Sequence, residues 1–140
     1  MMVQIAPSFL TTSHPIGDLS LSHVRLQADA RFPWLILIPR IAAVHELEDL
    51  SPDHRDSLLD EIVKAGRAVR AIGQALGRPV AKLNVGQLGN ITPQLHVHVV
   101  GRNAGDPAWP GPVWGVPGAQ AYDPTALDIA CAAARTTFGI

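Results

Sequence analysis

The feature that most restricts the fold of this chain is the run 94–100, in which polar and apolar residues alternate up to Val99. Side chains of a β-strand point to opposite faces in turn, so this run predicts a strand with one apolar and one polar face. The apolar face consists of Leu95, Val97 and Val99. The polar face consists of Gln94, His96 and His98. Two imidazoles and an amide in one row are a candidate functional site.

A segment rich in glycine and amide residues lies just upstream of this strand and reads Asn84-Val85-Gly86-Gln87-Leu88-Gly89-Asn90. Glycine allows successive backbone N–H groups to turn toward one point, and such a concavity binds anions. The pattern therefore predicts an anion-binding loop beside the two histidines.

Length and composition predict one domain that spans residues 1–140. The chain is 47% hydrophobic and 16% charged, which is typical of a packed domain and not of a disordered segment. Its formal net charge of −1 does not provide the basic surface that broad binding to nucleic acid or to an acidic membrane requires. We therefore expect no nucleic-acid and no membrane partner, whereas a small phosphorylated ligand needs only a few local donors.

The sequence also predicts a cytoplasmic location. The chain has one cysteine, Cys131, so an intrachain disulfide is impossible and a reducing compartment is favoured. Residues 1–15 lack the basic start and the apolar core of a signal peptide, and no apolar stretch approaches the length of a membrane span. Cys131 falls on the apolar stripe of a predicted helix and is interpreted as a buried small residue, not as a nucleophile.

Three further strands are predicted. Residues 19–28 alternate loosely and Trp34–Ile38 is continuously apolar, so the two runs predict a hairpin whose second strand is buried on both faces. Residues 80–85 predict a strand that leads into the glycine loop. Residues 45–47 predict at most a brief strand, and residues 1–18 give only a short helical turn around Phe9.

Two helices are predicted from their caps and their periodicity. The long one covers 52–76, with Ser51 as N-cap, Pro52 at the first helical position and apolar residues at helical spacing. The last helix begins at Pro124 after the N-cap Asp123.

Residues 106–118, between the His strand and the last helix, are rich in proline and glycine and do not form regular structure. Trp109 and Trp114 in this loop need a surface to pack on. Two interpretations are open: the tryptophans cover an active site or a partner subunit, or they fill the edge of the core.

On the residues alone, two uses of His96 and His98 compete with a purely structural role. In the first, a neutral imidazole attacks phosphorus while its neighbour binds the phosphate or the leaving group. In the second, the pair supplies two ligands to zinc or iron. A metal site needs a third ligand, and no other histidine lies at an obvious partner spacing.

The run 94–100 resembles the histidine-triad motif His-φ-His-φ-His-φ-φ, where φ is apolar, with glutamine in place of the first histidine. The surrounding features resemble that family in the same order. They are the strand that ends in Pro39-Arg40, the helix 52–76, the loop that begins at Asn84, and Trp109-Pro110, which is similar to the Trp-Pro tail of the Hint branch. The resemblance covers residues 19–115 and is greatest to a compact bacterial subgroup of histidine-triad (HIT) proteins.

This resemblance implies an α+β fold in which an antiparallel sheet of about five strands packs against one long helix and a C-terminal helix. It also implies a homodimer. The implied activity is hydrolysis or transfer of nucleoside phosphoryl compounds, such as dinucleoside polyphosphates or nucleoside phosphoramidates, through a nucleotidyl-histidine intermediate. No metal and no cofactor are implied.

The resemblance assigns His96 as the nucleophile and His98 as the histidine that contacts the phosphate. Gln94 takes the place of the first histidine: it can donate a hydrogen bond to a phosphoryl oxygen but cannot give up a proton. A lost general acid lowers a rate by about 10²–10⁴-fold, whereas the backbone carbonyl of Gln94 could still orient His96. The implied phosphate and nucleoside ligands are Asn84, Gly89, Asn90, Thr92 and Asp29.

Three functions stay open on this basis. The first is the nucleotide hydrolase or transferase. The second is a nucleotide-binding module without turnover, which Gln94 favours. The third is a metal-dependent enzyme that uses the pair His96 and His98.

Overall fold

The computed structural model describes residues 3–140, which form a five-stranded sheet and three α-helices. The strands are β1 (Ser13–Asp18), β2 (Ser22–Gln27), β3 (Trp34–Pro39), β4 (Lys82–Gln87) and β5 (Val97–Arg102). The helices are α1 (Pro7–Thr12), α2 (Pro52–Ala75) and α3 (Pro124–Phe138), with a 3₁₀ turn at Leu47–Asp49. The strand order is β1-β2-β3-β5-β4 and every neighbouring pair is antiparallel. The predicted α+β fold with a long central helix and a C-terminal helix is confirmed.

The apolar strand β3 occupies the centre of the sheet, and all six of its residues are buried. Leu35 and Leu37 belong to the core that α2 and α3 cover, whereas Trp34 and Ile36 belong to a second apolar cluster. Because β5 pairs with β3 so that Ile36 lies opposite His98, His98 emerges on the side of Trp34 and Ile36. The histidine therefore lies on the sheet face that the two long helices leave free.

Helix α2 begins as its sequence predicts. The Oγ of Ser51 accepts a hydrogen bond from the backbone N–H of His54, and Pro52 is the first helical residue. Its buried stripe packs on the sheet and beside α3, and burial of each larger apolar side chain contributes roughly 1.5–3 kcal/mol. The stripe consists of Leu58, Ala65, Ala68, Val69 and Ile72. Across residues 3–140, no helix combines the length and the hydropathy that a bilayer crossing requires.

The edge strand β1 has no counterpart among the sequence predictions. Pro15 and Gly17 argue against a strand, but proline is tolerated at a sheet edge, and the register of β1 against β2 shifts between these two residues. At residues 45–47, where the sequence predicts at most a brief strand, the structure has none. The chain turns there because the Asp49 carboxylate accepts hydrogen bonds from the N–H groups of His45 and Glu46.

Both strands around the glycine loop are displaced from their predicted positions. Residues 84–87 belong to β4 and not to the loop, so Gly86 is a strand residue opposite His98. Strand β5 starts at Val97 and continues through Gly101 to Arg102. A Cβ at Gly101 would lie 2.6 Å from a methyl of Val80, so glycine here serves close packing and does not end the strand.

Candidate active site

A cavity of about 470 Å³ opens on the sheet face opposite α2 and α3. Strands β3 and β5 provide its floor, and α1, the loop 88–92 and the loop 113–116 provide its walls. The volume falls within the usual range of small-ligand sites, about 300–1,000 Å³. His96 and His98 both line it, so the cavity is the candidate active site.

His96 is held in one tautomer by the backbone. Its Nδ1 lies 2.7 Å from the carbonyl oxygen of Gln94, and a carbonyl can only accept, so Nδ1 carries the proton. Burial lowers the pKa of His96 below its ordinary value, and the hydrogen bond to Gln94 opposes this only partly. His96 is therefore a neutral imidazole at neutral pH, and its unprotonated nitrogen is Nε2.

His98 is held in the opposite tautomer by an indole. The Nε1–H of Trp34 donates to Nδ1 of His98 over 2.9 Å, and an indole N–H can only donate, so the His98 proton lies on Nε2. Burial, helped by the neighbouring His96, lowers the pKa of His98 to about 3. His98 therefore stays neutral and presents an N–H donor.

The two rings are neighbours with complementary chemistry. Their centroids lie 5.0 Å apart with the ring planes at 77°. One ring offers an Nε2 lone pair, which is a nucleophile, and the other offers an Nε2–H, which can bind an anionic oxygen. The arrangement suits a reaction in which His96 attacks a phosphorus atom while His98 donates to a phosphoryl oxygen.

Trp114 lies against His98. Its ring centroid lies 5.5 Å from that of His98 and 6.4 Å from that of Trp34, both edge-to-face. Trp114 can approach β4 because Gly86 has no side chain: a Cβ there would lie 2.8 Å from the indole. Trp109 does not line the cavity; it lies 41% exposed, with the Arg102 guanidinium 5.8 Å from its ring centre. The structure thus assigns one tryptophan of the loop to the cavity and the other to the surface.

Asp29 lines one end of the cavity and is only 3% exposed. Burial by itself would raise the pKa of Asp29, but hydrogen bonds from Arg31 and Gln120 outweigh it and hold the pKa below the ordinary value. Nε and Nη2 of Arg31 donate to the two carboxylate oxygens over 3.0 and 2.8 Å. The result is a fixed, ionised carboxylate that can accept hydrogen bonds from ligand hydroxyl groups.

The structure brings several of the predicted ligands together and leaves two apart. Gly89, Asn90 and Thr92 line the same cavity as the histidines. Asn84 does not line it: its Oδ1 accepts a hydrogen bond from Nη1 of Arg102 over 2.8 Å. The Gln94 side chain also lies outside the lining, because its amide is hydrogen-bonded to the backbone of Gln4 and Ala6.

Sequence reasoning missed the residues that shape the cavity around the histidines. Trp34, Ile36, Phe9 and Val113 line it, and the Phe9 ring lies edge-on to His96 with 4.8 Å between centroids. The period of two in the apolar strand could have placed Trp34 and Ile36 on one face. Phe9 and Val113 had no such indication, because they reach the site through an isolated helix and a loop.

A metal site was the alternative use of the histidine pair. Among residues 3–140, no group of three or more His, Cys, Asp or Glu side chains is placed to hold a metal ion. The third ligand that the metal interpretation requires was therefore not found in this part of the chain.

Comparison with known proteins agrees with the fold and with the histidine motif. The sequence matches the HIT domain over residues 10–105. A histidine triad protein from Bradyrhizobium japonicum is 38% identical, with a TM-score of 0.91 and 99% of each chain covered. Its counterpart from Sinorhizobium meliloti 1021 is 36% identical, with a TM-score of 0.86 and 96% of each chain covered. One from Marinobacter aquaeolei VT8 is 32% identical, with a TM-score of 0.89 and 99% and 98% covered. No curated protein matches the chain.

Proposed function

This chain belongs to the HIT domain family, and we propose that it hydrolyses or transfers nucleoside phosphoryl compounds, such as dinucleoside polyphosphates or nucleoside phosphoramidates. The observation that supports this most is the pair of opposite tautomers in the cavity. His96 presents an unprotonated Nε2 and His98 presents an Nε2–H. We also place the chain in the subgroup that has glutamine, Gln94, at the first triad position.

In the proposed reaction, Nε2 of His96 attacks the α-phosphorus of the nucleotide. An N–P bond forms while the bond to the leaving group breaks, and the leaving group departs with the electron pair and takes a proton from water. Water then attacks the phosphorus of the nucleotidyl-histidine and loses a proton to solvent. The N–P bond breaks, which releases a nucleoside 5′-monophosphate and restores the neutral imidazole.

Charge on the phosphoryl oxygens is stabilised by donors that surround them. The Nε2–H of His98 donates to one oxygen, and backbone N–H groups near Gly89 and Asn90 donate to the others. Thr92 adds a hydroxyl at the same edge of the cavity. Donors that stay fixed during the reaction stabilise the transition state more than mobile water does.

The nucleoside lies along the apolar part of the cavity. Asp29 accepts hydrogen bonds from the ribose hydroxyls, because it is an ionised carboxylate held in place by Arg31. The base packs among Ile36, Val113 and Trp114, which line the same cavity. The adjoining Trp34 fixes His98 and is not free to move with the base.

The covalent intermediate is the step to test. We expect rapid mixing with adenosine 5′-phosphoramidate or a diadenosine polyphosphate to give an acid-sensitive nucleotidyl adduct that peptide mass spectrometry maps to His96. His98→Asn should lengthen the lifetime of the adduct, because asparagine retains an acceptor for the Trp34 N–H but supplies a weaker donor to the phosphate and so slows hydrolysis of the adduct. Full turnover by His96→Ala on these substrates would overturn the mechanism.

A second function, a nucleotide-binding module without turnover, is favoured by the surroundings of Gln94. Its amide binds the backbone of residues 4–6, so no proton donor stands at the position of the first triad histidine. Calorimetry separates the two functions. Micromolar binding of adenosine monophosphate with neither adduct nor turnover would support the binding module.

We further propose a cytoplasmic homodimer without nucleic-acid or membrane partners. Strand β4 is the last strand of the sheet and its Val85 is 52% exposed, while Leu59 and Val63 expose apolar surface on α2. Apolar surface of this kind is common at subunit interfaces. Sedimentation equilibrium tests the dimer, and a monomer at micromolar concentration would contradict it.

A further inference from the structure

The side-chain amide of Gln94 is engaged at both ends by one short backbone segment. Its Oε1 accepts a hydrogen bond from the N–H of Ala6 over 2.8 Å, and its Nε2 donates to the carbonyl of Gln4 over 3.0 Å. These two bonds join residues that are 88 and 90 positions apart in the chain. The amide therefore ties residues 4–6 to the chain that leads into the histidine strand.

The tied segment leads directly into α1, which forms one wall of the cavity. Ala6 is the N-cap residue of α1 and has no capping side chain of its own. Phe9 on α1 is 5% exposed and packs against His96. The Ser8 hydroxyl lies 2.8 Å from the Thr92 hydroxyl, which connects the wall to the loop after β4.

The far end of α1 is held by the sheet. The carbonyl of Thr12 accepts a hydrogen bond from the N–H of Ala28 over 2.9 Å, and the Ser13 hydroxyl donates to the Phe9 carbonyl. A helix of six residues is too short to be stable by itself, so its position depends on these attachments. At the near end, Gln94 holds the segment that enters α1, beside the contact between Ser8 and Thr92.

We propose that Gln94 is a positioning residue, whose amide ties residues 4–6 and so holds α1 in place with Phe9 against His96. The backbone carbonyl of the same residue orients His96 from the other side. Gln94 thus acts on the imidazole through α1 and through its own carbonyl, not through the phosphate. The inference relies on the proposed function only in treating His96 as the reacting group.

Two variants remove the tie from opposite sides. Gln94→Met retains the length of the side chain but has no hydrogen-bonding ends. Ala6→Pro replaces the N–H that Gln94 binds with a ring carbon, which displaces the Gln94 Oε1, while residue 94 itself is unchanged. The backbone angles of Ala6, φ −55° and ψ 138°, are those that proline adopts. Gln74→Met, at an exposed position of α2, is the matched control.

The measurements are made on the free protein, so they do not depend on turnover. We expect hydrogen exchange of the α1 amides to increase about 2–13-fold in Ala6→Pro, which removes one hydrogen bond, and by more in Gln94→Met, which removes two, while the β5 amides stay protected. We also expect the ring-current shift of Phe9 on the His96 protons to disappear from the NMR spectrum. Gln74→Met should change neither quantity.

Activity measurements separate positioning from direct contact with the leaving group. If Gln94 positions α1, each variant loses turnover, and within each variant the loss is the same for substrates with good and with poor leaving groups. Unchanged α1 exchange and an unchanged His96 spectrum in both variants would overturn the proposal. A rate loss that grows with the pKa of the leaving group, in Gln94→Met but not in Ala6→Pro, would also overturn it. If no substrate turns over, the proposed function fails, but the exchange and NMR results still decide the role of Gln94.

Discussion

The indole N–H of Trp34 donates a hydrogen bond to Nδ1 of His98 over 2.9 Å, and this contact decides which nitrogen of His98 carries the proton. The two residues are 64 positions apart and meet because β3 and β5 are neighbours in the sheet. With Nδ1 occupied, the proton of the neutral ring stays on Nε2. His98, whose pKa is lowered to about 3, therefore acts as a hydrogen-bond donor through Nε2–H and not as a base.

Trp34→Phe should release this constraint. Phenylalanine retains the aromatic ring but has no N–H, so both tautomers of His98 become accessible. ¹⁵N NMR of the imidazole should change from one tautomer to a mixture. Turnover should fall by about 2–13-fold, which is the factor that corresponds to a net hydrogen bond of ~0.5–1.5 kcal/mol. A spectrum that still shows only the Nε2–H tautomer would contradict this assignment.

The free energy of unfolding should decrease as the pH falls below the pKa of an ordinary histidine. Burial lowers the pKa of His96, and lowers that of His98 to about 3, whereas the pKa of histidine in the unfolded chain is about 6.5. Between these values the unfolded chain binds more protons than the folded one, so the free energy of unfolding falls with decreasing pH. This contribution is fully present above pH ~6.5 and is lost progressively toward pH ~3.

Urea unfolding at several pH values from 8 down to 5 measures this effect. The range stops at pH 5 because the carboxyl groups with lowered pKa, such as Asp29 and Asp106, affect stability only at lower pH. His98→Asn should show a shallower dependence than the wild type, because it lacks one of the two buried imidazoles. A midpoint that stays constant or rises as the pH falls from 6.5 to 5 would be inconsistent with neutral buried histidines.

Gly86→Ala should displace Trp114 from His98. The added Cβ would lie 2.8 and 3.1 Å from two indole carbons, so the ring must move or the strand must distort. Overpacking of this kind costs about 1–3 kcal/mol of stability. We expect a lower thermal midpoint, a red shift of tryptophan fluorescence and weaker nucleotide binding.

Gly89→Ala is the stability control for this variant, because the nearest atom to its Cβ is 3.8 Å away. Its thermal midpoint should match that of the wild type. Equal midpoints for the wild type and Gly86→Ala would mean that the position of the Trp114 indole does not require the absence of a side chain at Gly86.

Substitution of Asn84 should affect the stability of the fold, whereas substitution of Asn90 should affect nucleotide binding. Asn84→Ala leaves a donor of the buried Arg102 without its acceptor, which costs about 1–3 kcal/mol. Asn90→Ala truncates an exposed residue that lines the cavity, so it should weaken nucleotide binding and change stability by less than about 0.5 kcal/mol. Thermal unfolding measures the change in stability, and calorimetry with adenosine monophosphate measures the change in binding. If Asn84→Ala instead weakened binding and left stability unchanged, Asn84 would be a phosphate ligand.

The sequence by itself determined the elements whose causes are local. The alternation in the run 94–100 placed His96 and His98 side by side, and Ser51 with Pro52 fixed the start of α2. The continuously apolar run Trp34–Ile38 predicts a strand buried on both faces, and all six residues of β3 are buried. Periodicity and capping involve residues a few positions apart, so the pattern contains the information.

Only the tertiary structure decided which groups meet across the chain. The tautomer of His98 depends on Trp34, the side chain of Gln94 binds residues 4–6, and Asn84 pairs with Arg102. Glutamine and asparagine are equally able to bind a phosphate or a backbone amide, so residue type does not select the partner. The register of the sheet and the path of the chain before α1 select it, and both result from the packing of the whole molecule.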